Sequence, residues 1–180
     1  MLKILNSELG RPTLQEFVSM EKLPVTVVLD NVRSMNNVGS IFRTCDAFAV
    51  ERIALCGITA SPPDREIHKT ALGAEDIIPW DHYASTSDAV VALREEGYLI
   101  IAVEQVEGAA MLERFAAERG VKYALVFGNE VFGVGQEVAD ICDHAIEIPQ
   151  VGTKHSLNVA VSAGIVLWEF FRRLGGSLKK

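Results

Sequence analysis

PVTVVLDNVRSMNNVGSIFRTCDAF, residues Pro24–Phe48, decides the fold. It begins with a β-branched run, Pro24 to Asp30, in which apolar residues do not alternate with polar ones. That pattern suits a parallel strand buried on both faces. A polar loop follows, with Asn36 or Asn37 as a helix N-cap. From Val38 to Phe48 the apolar positions Ile41, Cys45 and Phe48 then recur at helical spacing. One strand, one polar loop and one helix make the repeating unit of an α/β protein.

The unit repeats along the chain. Strands are expected at Arg52–Cys56, Asp76–Pro79, Tyr98–Val106, Lys122–Phe127 and Ala145–Ile148. Helices are expected at Glu66–Leu72, Ser87–Gly97 and Ser156–Leu174, with Ser156 as the cap of the last. Thr13 and Glu16 have capping-box spacing and predict a short helix before the first strand. The expected fold is α/β, a single domain with a mostly parallel sheet flanked by helices. The expected divisions are an N-terminal extension over 1–23, the domain over 24–174 and a tail over 175–180.

The last helix is apolar nearly all round. Leu157, Val161, Ile165, Trp168 and Phe171 form one face, and Val159, Ala163, Val166 and Phe170 another. Only Asn158, Ser162, Glu169 and Arg173 interrupt them. Such a helix is central to its own fold or is covered by a partner, and a homodimer is expected.

Composition narrows the function. At 180 residues, 49% hydrophobic and 23% charged, the chain can bury a substantial core. No apolar run approaches the ~20 residues of a membrane span. The N-terminal segment lacks a secretory layout, so a cytoplasmic protein without a membrane partner is expected. The net charge of −7 argues against non-specific nucleic-acid binding, and no DNA partner is expected. It leaves room for a local basic patch. Three scattered cysteines, Cys45, Cys56 and Cys142, have no metal-ligand spacing, so no metal is expected.

Familiar cofactor motifs are missing. Gly128, Gly133 and Gly135 do not have dinucleotide spacing, Lys154 stands outside a P-loop, and there is no GxSxG elbow. Three polar, glycine-bearing segments remain, each after a strand: Asn36–Ala47, Leu125–Gly135 and Ile148–Glu169. Open α/β sheets bind ligands at such strand ends. Arg43 lies six residues past Asn37, roughly 9 Å along a helix, on the face opposite Ile41 and Cys45. Taken alone, Arg43 reads as a solvated side chain paired with Asp46, Glu130 as a glutamate in a tight turn, and Ser156 as a plain cap.

In combination the three segments resemble the motifs of the SpoU/TrmH family of knotted RNA methyltransferases. Asn37, Gly39 and Arg43 resemble the first motif, N-x-G-x-x-x-R. Gly128, Asn129 and Glu130 with Gly133 resemble the second. Ile148 and Pro149, with Ser156, Leu157, Asn158 and Val159, resemble the third. The likeness runs from Val25 to Phe171. Val131 departs from it, standing where a small residue is common.

The resemblance implies a C-terminal deep trefoil knot forming a cleft for S-adenosyl-L-methionine, with the site completed by dimerisation. It implies that Val103, Gly128, Ile148 and Leu157 line the cofactor pocket. Arg43, Asn37, Glu130, Ser156 and Asn158 would form the catalytic set, with Glu130 holding both Arg43 and Asn37. The implied reaction is methylation of a ribose 2′-hydroxyl of RNA, tRNA being favoured over rRNA. Expected RNA contacts are Arg33, Arg65, His68, Lys69, Lys154 and His155. The competing expectation is a non-catalytic α/β module that binds a small molecule or RNA.

Overall fold

Alternation along the central strands sorts their side chains into two cores. In the computed structural model, which describes residues 1–5 and 8–175, β1 spans Leu23–Asp30 and β6 spans Lys122–Phe127. Val25, Val27 and Leu29 of β1 join Tyr123, Leu125 and Phe127 of β6 on one face. Val28, Ala124 and Val126 point to the other. Both faces are covered, so these strands are nearly continuous apolar runs, broken inside β1 by the buried polar side chain of Thr26.

The remaining strands are β2 (Val50–Cys56), β3 (Trp80–Tyr83), β4 (Tyr98–Val103), β5 (Ala110–Met111) and β7 (His144–Glu147). Among the described residues all seven are parallel, in the order β3-β2-β1-β6-β4-β7-β5. The helices are α1 (Leu14–Ser19), α2 (Met35–Ala47), α3 (Arg65–Ala71), α4 (Thr86–Glu95), α5 (Gln136–Ala139) and α6 (Val159–Leu174). Buried residues of α2 (Val38, Ile41, Phe42, Cys45) and α6 (Ala163, Val166, Leu167, Phe170) cover the first face. Ala89, Val90 and Leu93 of α4 and Val138 of α5 cover the second.

Register places the strand ends that matter in one row. Leu29 of β1 pairs with Phe127 of β6, which pairs with Val103 of β4, which pairs with Ile146 of β7. The next residues, Asp30, Gly128, Glu104 and Glu147, therefore stand in one row at the carboxyl edge: Gly128 and Glu104 have left the sheet, while Asp30 and Glu147 make their strands' last pairings, with Cys56 and Met111. All three motif-bearing loops start there or beside it.

Several expectations need correction. The helix of the first motif starts at Met35, capped by Ser34, whose hydroxyl accepts the Asn37 amide at 3.3 Å. Asn36 and Asn37 lie in its first turn, and the Asn37 side chain is left for other contacts. The last helix starts at Val159 and not at Ser156. Its cap is Asn158, whose Oδ1 accepts the amides of Ala160 and Val161 at 2.9 and 3.4 Å. The strand expected at Asp76–Pro79 is not formed: Asp76 ends a 3-10 turn that begins at Ala74, and β3 falls at Trp80–Tyr83. The strand expected to reach Val106 ends at Val103, where Glu104 turns out of the sheet. The capping box of α1 is present, with Glu16 N to Thr13 Oγ1 at 3.3 Å and Thr13 N to Glu16 Oε2 at 2.7 Å. Of the tail placed at 175–180, only Gly175 lies within the described residues.

Gly39 shows why α2 sits where it does. A Cβ there would stand 2.2 Å from Thr70 Oγ1 and 2.3 Å from the Ile67 carbonyl oxygen. The missing side chain admits α3, not a ligand, and Thr70 Oγ1 donates to the Asn36 carbonyl at 3.0 Å. The far side of α6 behaves differently from its buried face. Val161 is 50% exposed and Trp168 53%, with Ile165 between them also open to solvent.

Candidate functional site

Three residues from three distant segments meet in one directed chain of hydrogen bonds. Asn158 Oδ1 is committed to the N-terminus of α6, which leaves its Nδ2 to donate to Asn37 Oδ1 at 3.1 Å. Asn37 must then present its own Nδ2 to Glu130, and does so to Oε1 at 2.9 Å. The helix cap thus fixes the orientation of both amides, because each link uses the only group the previous link leaves free.

Glu130 ends the chain as an acceptor. Its Oε2 takes the Arg33 amide at 3.1 Å, and its Oε1 also takes the Ser34 amide at 3.1 Å. Burial pushes its pKa up, but the Arg33 amide, the Asn37 amide and the Ser34 amide outweigh burial and hold it below the usual carboxylate value. Glu130 is therefore ionised at neutral pH and occupied on both oxygens. That makes it an anchor and a poor proton acceptor.

Beside this chain a cleft of about 480 Å³ opens over the ends of β4, β6 and β7. Val103, Gly128, Glu130, Ile148, Ser156, Leu157 and Asn158 all line it, so seven of the nine expected site residues share one wall system. Asn37 joins them only through its hydrogen bonds. Arg43 stays outside. It is exposed on α2, and among the described residues it makes no hydrogen bond or ion pair, with Glu130 or with Asp46. The expectation that Glu130 holds Arg43 is not met; the amides of Arg33 and Ser34 take that place.

The loop after β6 is shaped by its glycines. A Cβ on Gly128 would stand 2.0 Å from the Gly133 carbonyl carbon, so the chain can return against itself only at glycine. Asn129 and Gly133 exchange two backbone hydrogen bonds of 2.9 Å, and Asn129 Nδ2 donates to the Asn31 carbonyl at 2.7 Å.

Sequence reasoning missed two carboxylates that hold this region together. Glu104 Oε2 accepts the Val134 amide at 2.9 Å and lines the cleft. Asp30, almost wholly buried, accepts the Gly135 amide at 2.9 Å and the Thr86 hydroxyl at 2.5 Å. Next to Glu104, Gln105 Nε2 donates to the His155 carbonyl at 3.0 Å and ties the third motif to β4. The usable signal was position: Asp30 and Glu104 are acidic residues set immediately after, or at the end of, apolar strands.

The lining favours a particular kind of ligand. It carries Glu104, Glu130 and Glu147 and no lysine or arginine, so it suits a cationic group and repels a phosphate. Val103, Ile148 and Leu157 supply apolar wall. A molecule joining a sulfonium and an ammonium to a flat nucleoside fits that donor set, whereas a nucleoside triphosphate does not. Among the described residues no group of three His, Cys, Asp or Glu could hold a metal ion. No helix there is long and apolar enough to cross a membrane.

Of the expected RNA contacts, His68 Nδ1 lies 2.5 Å from the buried Glu75 and Lys69 pairs with Glu66 at 2.6 Å. Arg33, Arg65, Lys154 and His155 are exposed, with His155 at the cleft.

Residues 24–168 match the pattern of the SpoU rRNA Methylase family. The chain is 28% identical over 166 residues to the 23S rRNA (guanosine-2′-O-)-methyltransferase RlmB of Vibrio parahaemolyticus, covering 92% of this chain and 66% of that protein. Its fold is similar to that of an AdoMet-bound rRNA methyltransferase from Sinorhizobium meliloti, with a TM-score of 0.77, 31% identity, and 86% and 61% of the two chains covered. A TrmH/SpoU tRNA modifying enzyme from A. aeolicus gives a TM-score of 0.79 at 26% identity, over 89% and 80%. The chain thus spans less than two thirds of the length of RlmB and of the Sinorhizobium protein. With the match running from the start of β1 into α6, across all three segments that Asn37 joins, this chain belongs to the SpoU rRNA methylase family.

Proposed function

We propose that the chain transfers a methyl group from S-adenosyl-L-methionine to a ribose 2′-hydroxyl of RNA, with tRNA the favoured substrate. The observation that carries this reading is the directed chain from Asn158 through Asn37 to Glu130, which joins all three motifs beside an acidic cleft. Val103, Gly128, Ile148 and Leu157 would hold the cofactor. When bound, S-adenosyl-L-methionine supplies a methyl group on a positively charged sulfur, open to attack by an oxygen.

The chain's own task is to place the hydroxyl and dispose of its proton. Glu130 is engaged by three donors and is a poor base. A guanidinium keeps its proton in proteins, so Arg43 is an equally poor one. Arg43 instead binds the phosphate beside the target ribose and orients the hydroxyl, and the proton passes to solvent water as the oxygen–methyl bond forms and the sulfur–methyl bond breaks. Ser156, exposed on the cleft wall, and Asn158 complete the surface that receives the nucleotide. The outer face of α6 packs against a second copy and brings the two sites into register. The trefoil threading of the C-terminal segment and a cytoplasmic location belong to the same reading.

Ribosomal RNA is the second reading, favoured by the likeness to RlmB. Calorimetry with S-adenosyl-L-methionine, followed by transfer of labelled methyl to unmodified tRNA or rRNA, tests the proposal. Saturable binding and label in one RNA pool support it and choose the substrate. No binding and no label would leave a non-catalytic α/β module.

A further inference from the structure

The loop after β6 holds an aromatic ring in solvent at the mouth of the cleft. Phe132 is 85% exposed and its neighbour Val131 65%, and both line the cleft. A single exposed phenylalanine is ordinary on a protein surface. This one, however, is not on a slack loop. Asn129 Oδ1 accepts the amides of Val131 and Phe132 at 2.8 and 3.4 Å, and Asn129 and Gly133 clasp the turn with two further hydrogen bonds. Neither Val131 nor Phe132 packs into either core among the described residues. The turn is built to keep the ring out of the protein.

What lies beside the ring suggests what it is for. Glu130 precedes it by two residues. Arg33 donates its backbone amide to the Glu130 carboxylate, and its exposed guanidinium, among the described residues, has no hydrogen bond or ion pair. An exposed aromatic ring at the cleft and an unengaged cation just outside its lining therefore belong to two segments joined at one carboxylate. Those two groups match the base and the phosphate of one nucleotide. The chain carries a net charge of −7, so charge alone offers RNA little. Stacking adds affinity that salt does not screen.

We infer that Phe132 is a stacking platform for an unpaired nucleobase at the methylation site, with Arg33 taking the adjoining phosphate. This rests on the RNA methyltransferase reading and narrows it. A base paired inside an A-form helix keeps its face covered, so the target ribose lies in a single-stranded loop or end.

The test uses the full chain and the RNA pool that the wild-type protein methylates. The expected result for Phe132→Ala is a KM for RNA raised about tenfold or more, with a smaller change in kcat. Affinity for S-adenosyl-L-methionine and the slope of RNA binding against salt stay as in wild type, and Phe132→Trp restores the KM. Masking the target segment with a complementary strand abolishes transfer. An unchanged KM in Phe132→Ala overturns the inference while the methyltransferase reading stands. A loss of cofactor affinity instead would place the ring over the cofactor, and a fall in molecular mass would place it against a second copy; either overturns stacking. If the wild-type chain neither binds RNA nor transfers methyl to it, both readings fall.

Discussion

Asn158 does two jobs, and one substitution separates them. Its Oδ1 caps α6, and its Nδ2 orients Asn37. Aspartate caps helices as well as asparagine does, and a negative charge at the start of a sixteen-residue helix is favourable by about 0.3–1 kcal/mol. Asn158→Asp should therefore keep or slightly raise the melting temperature. It has no donor for Asn37 Oδ1, however. If the Asn37 amide turns round to serve the new carboxylate, its oxygen then faces Glu130 Oε1, so one link is lost whichever way it points. Losing a hydrogen bond and leaving its acceptor unmatched costs about 1–3 kcal/mol, which is about 5- to 150-fold in kcat/KM. The site is partly solvated, which favours the lower half of that range. Asn158→Ala loses both jobs and should also cost about 0.5–2 kcal/mol of stability. Thermal melts and initial rates of methyl transfer on both variants make the comparison. Wild-type activity in Asn158→Asp would refute the directed chain as a working part of the site.

Three further outcomes are expected. Arg43→Ala should change stability by no more than about 0.5 kcal/mol, since the side chain is exposed and unpaired among the described residues, yet abolish methyl transfer. Full activity there would remove Arg43 from the reaction. Gly39→Ala should destabilise the chain by about 1–3 kcal/mol, because its Cβ would overlap the Ile67 carbonyl oxygen at 2.3 Å and push α3 off α2; a denaturant melt reads this directly. Trp168→Glu places a charge on the open face of α6 and should yield a monomer in light scattering, with transfer lost at the same time; an unaltered mass would show that this face is not the contact.

The sequence made the architecture readable wherever burial was two-sided. β1, β4 and β6 are nearly continuous apolar runs because both their faces are covered, and their positions agree with expectation to within a few residues. β3 was misplaced for the converse reason. Trp80, Asp81, His82 and Tyr83 form a partly exposed edge strand, and the apolar pair Ile77 and Ile78 before it is not in the sheet. Strand order lay beyond reach, because nothing local places β6 between β1 and β4.

At the site, the choice of helix caps was the part that local sequence could not decide. Ser34, Asn36 and Asn37 are all competent caps, and so are Ser156 and Asn158. Tertiary demand selects among them. Asn37 is wanted by Glu130 and Asn158, so Ser34 caps α2. Asn158 caps α6 with one end of its amide and reaches Asn37 with the other. The convergence of the three loops followed from the resemblance, but its mechanism, a row of strand ends in register, is visible only in the folded chain.

The most direct test of the central claim is the identity of the methylated atom. Purified protein is incubated with labelled S-adenosyl-L-methionine and unmodified RNA, the RNA is digested to nucleosides, and the label is assigned by chromatography and mass spectrometry. The expected product is a 2′-O-methylated nucleoside, with the added mass on the ribose fragment. Label on a base instead would contradict the assignment of a ribose hydroxyl to this site.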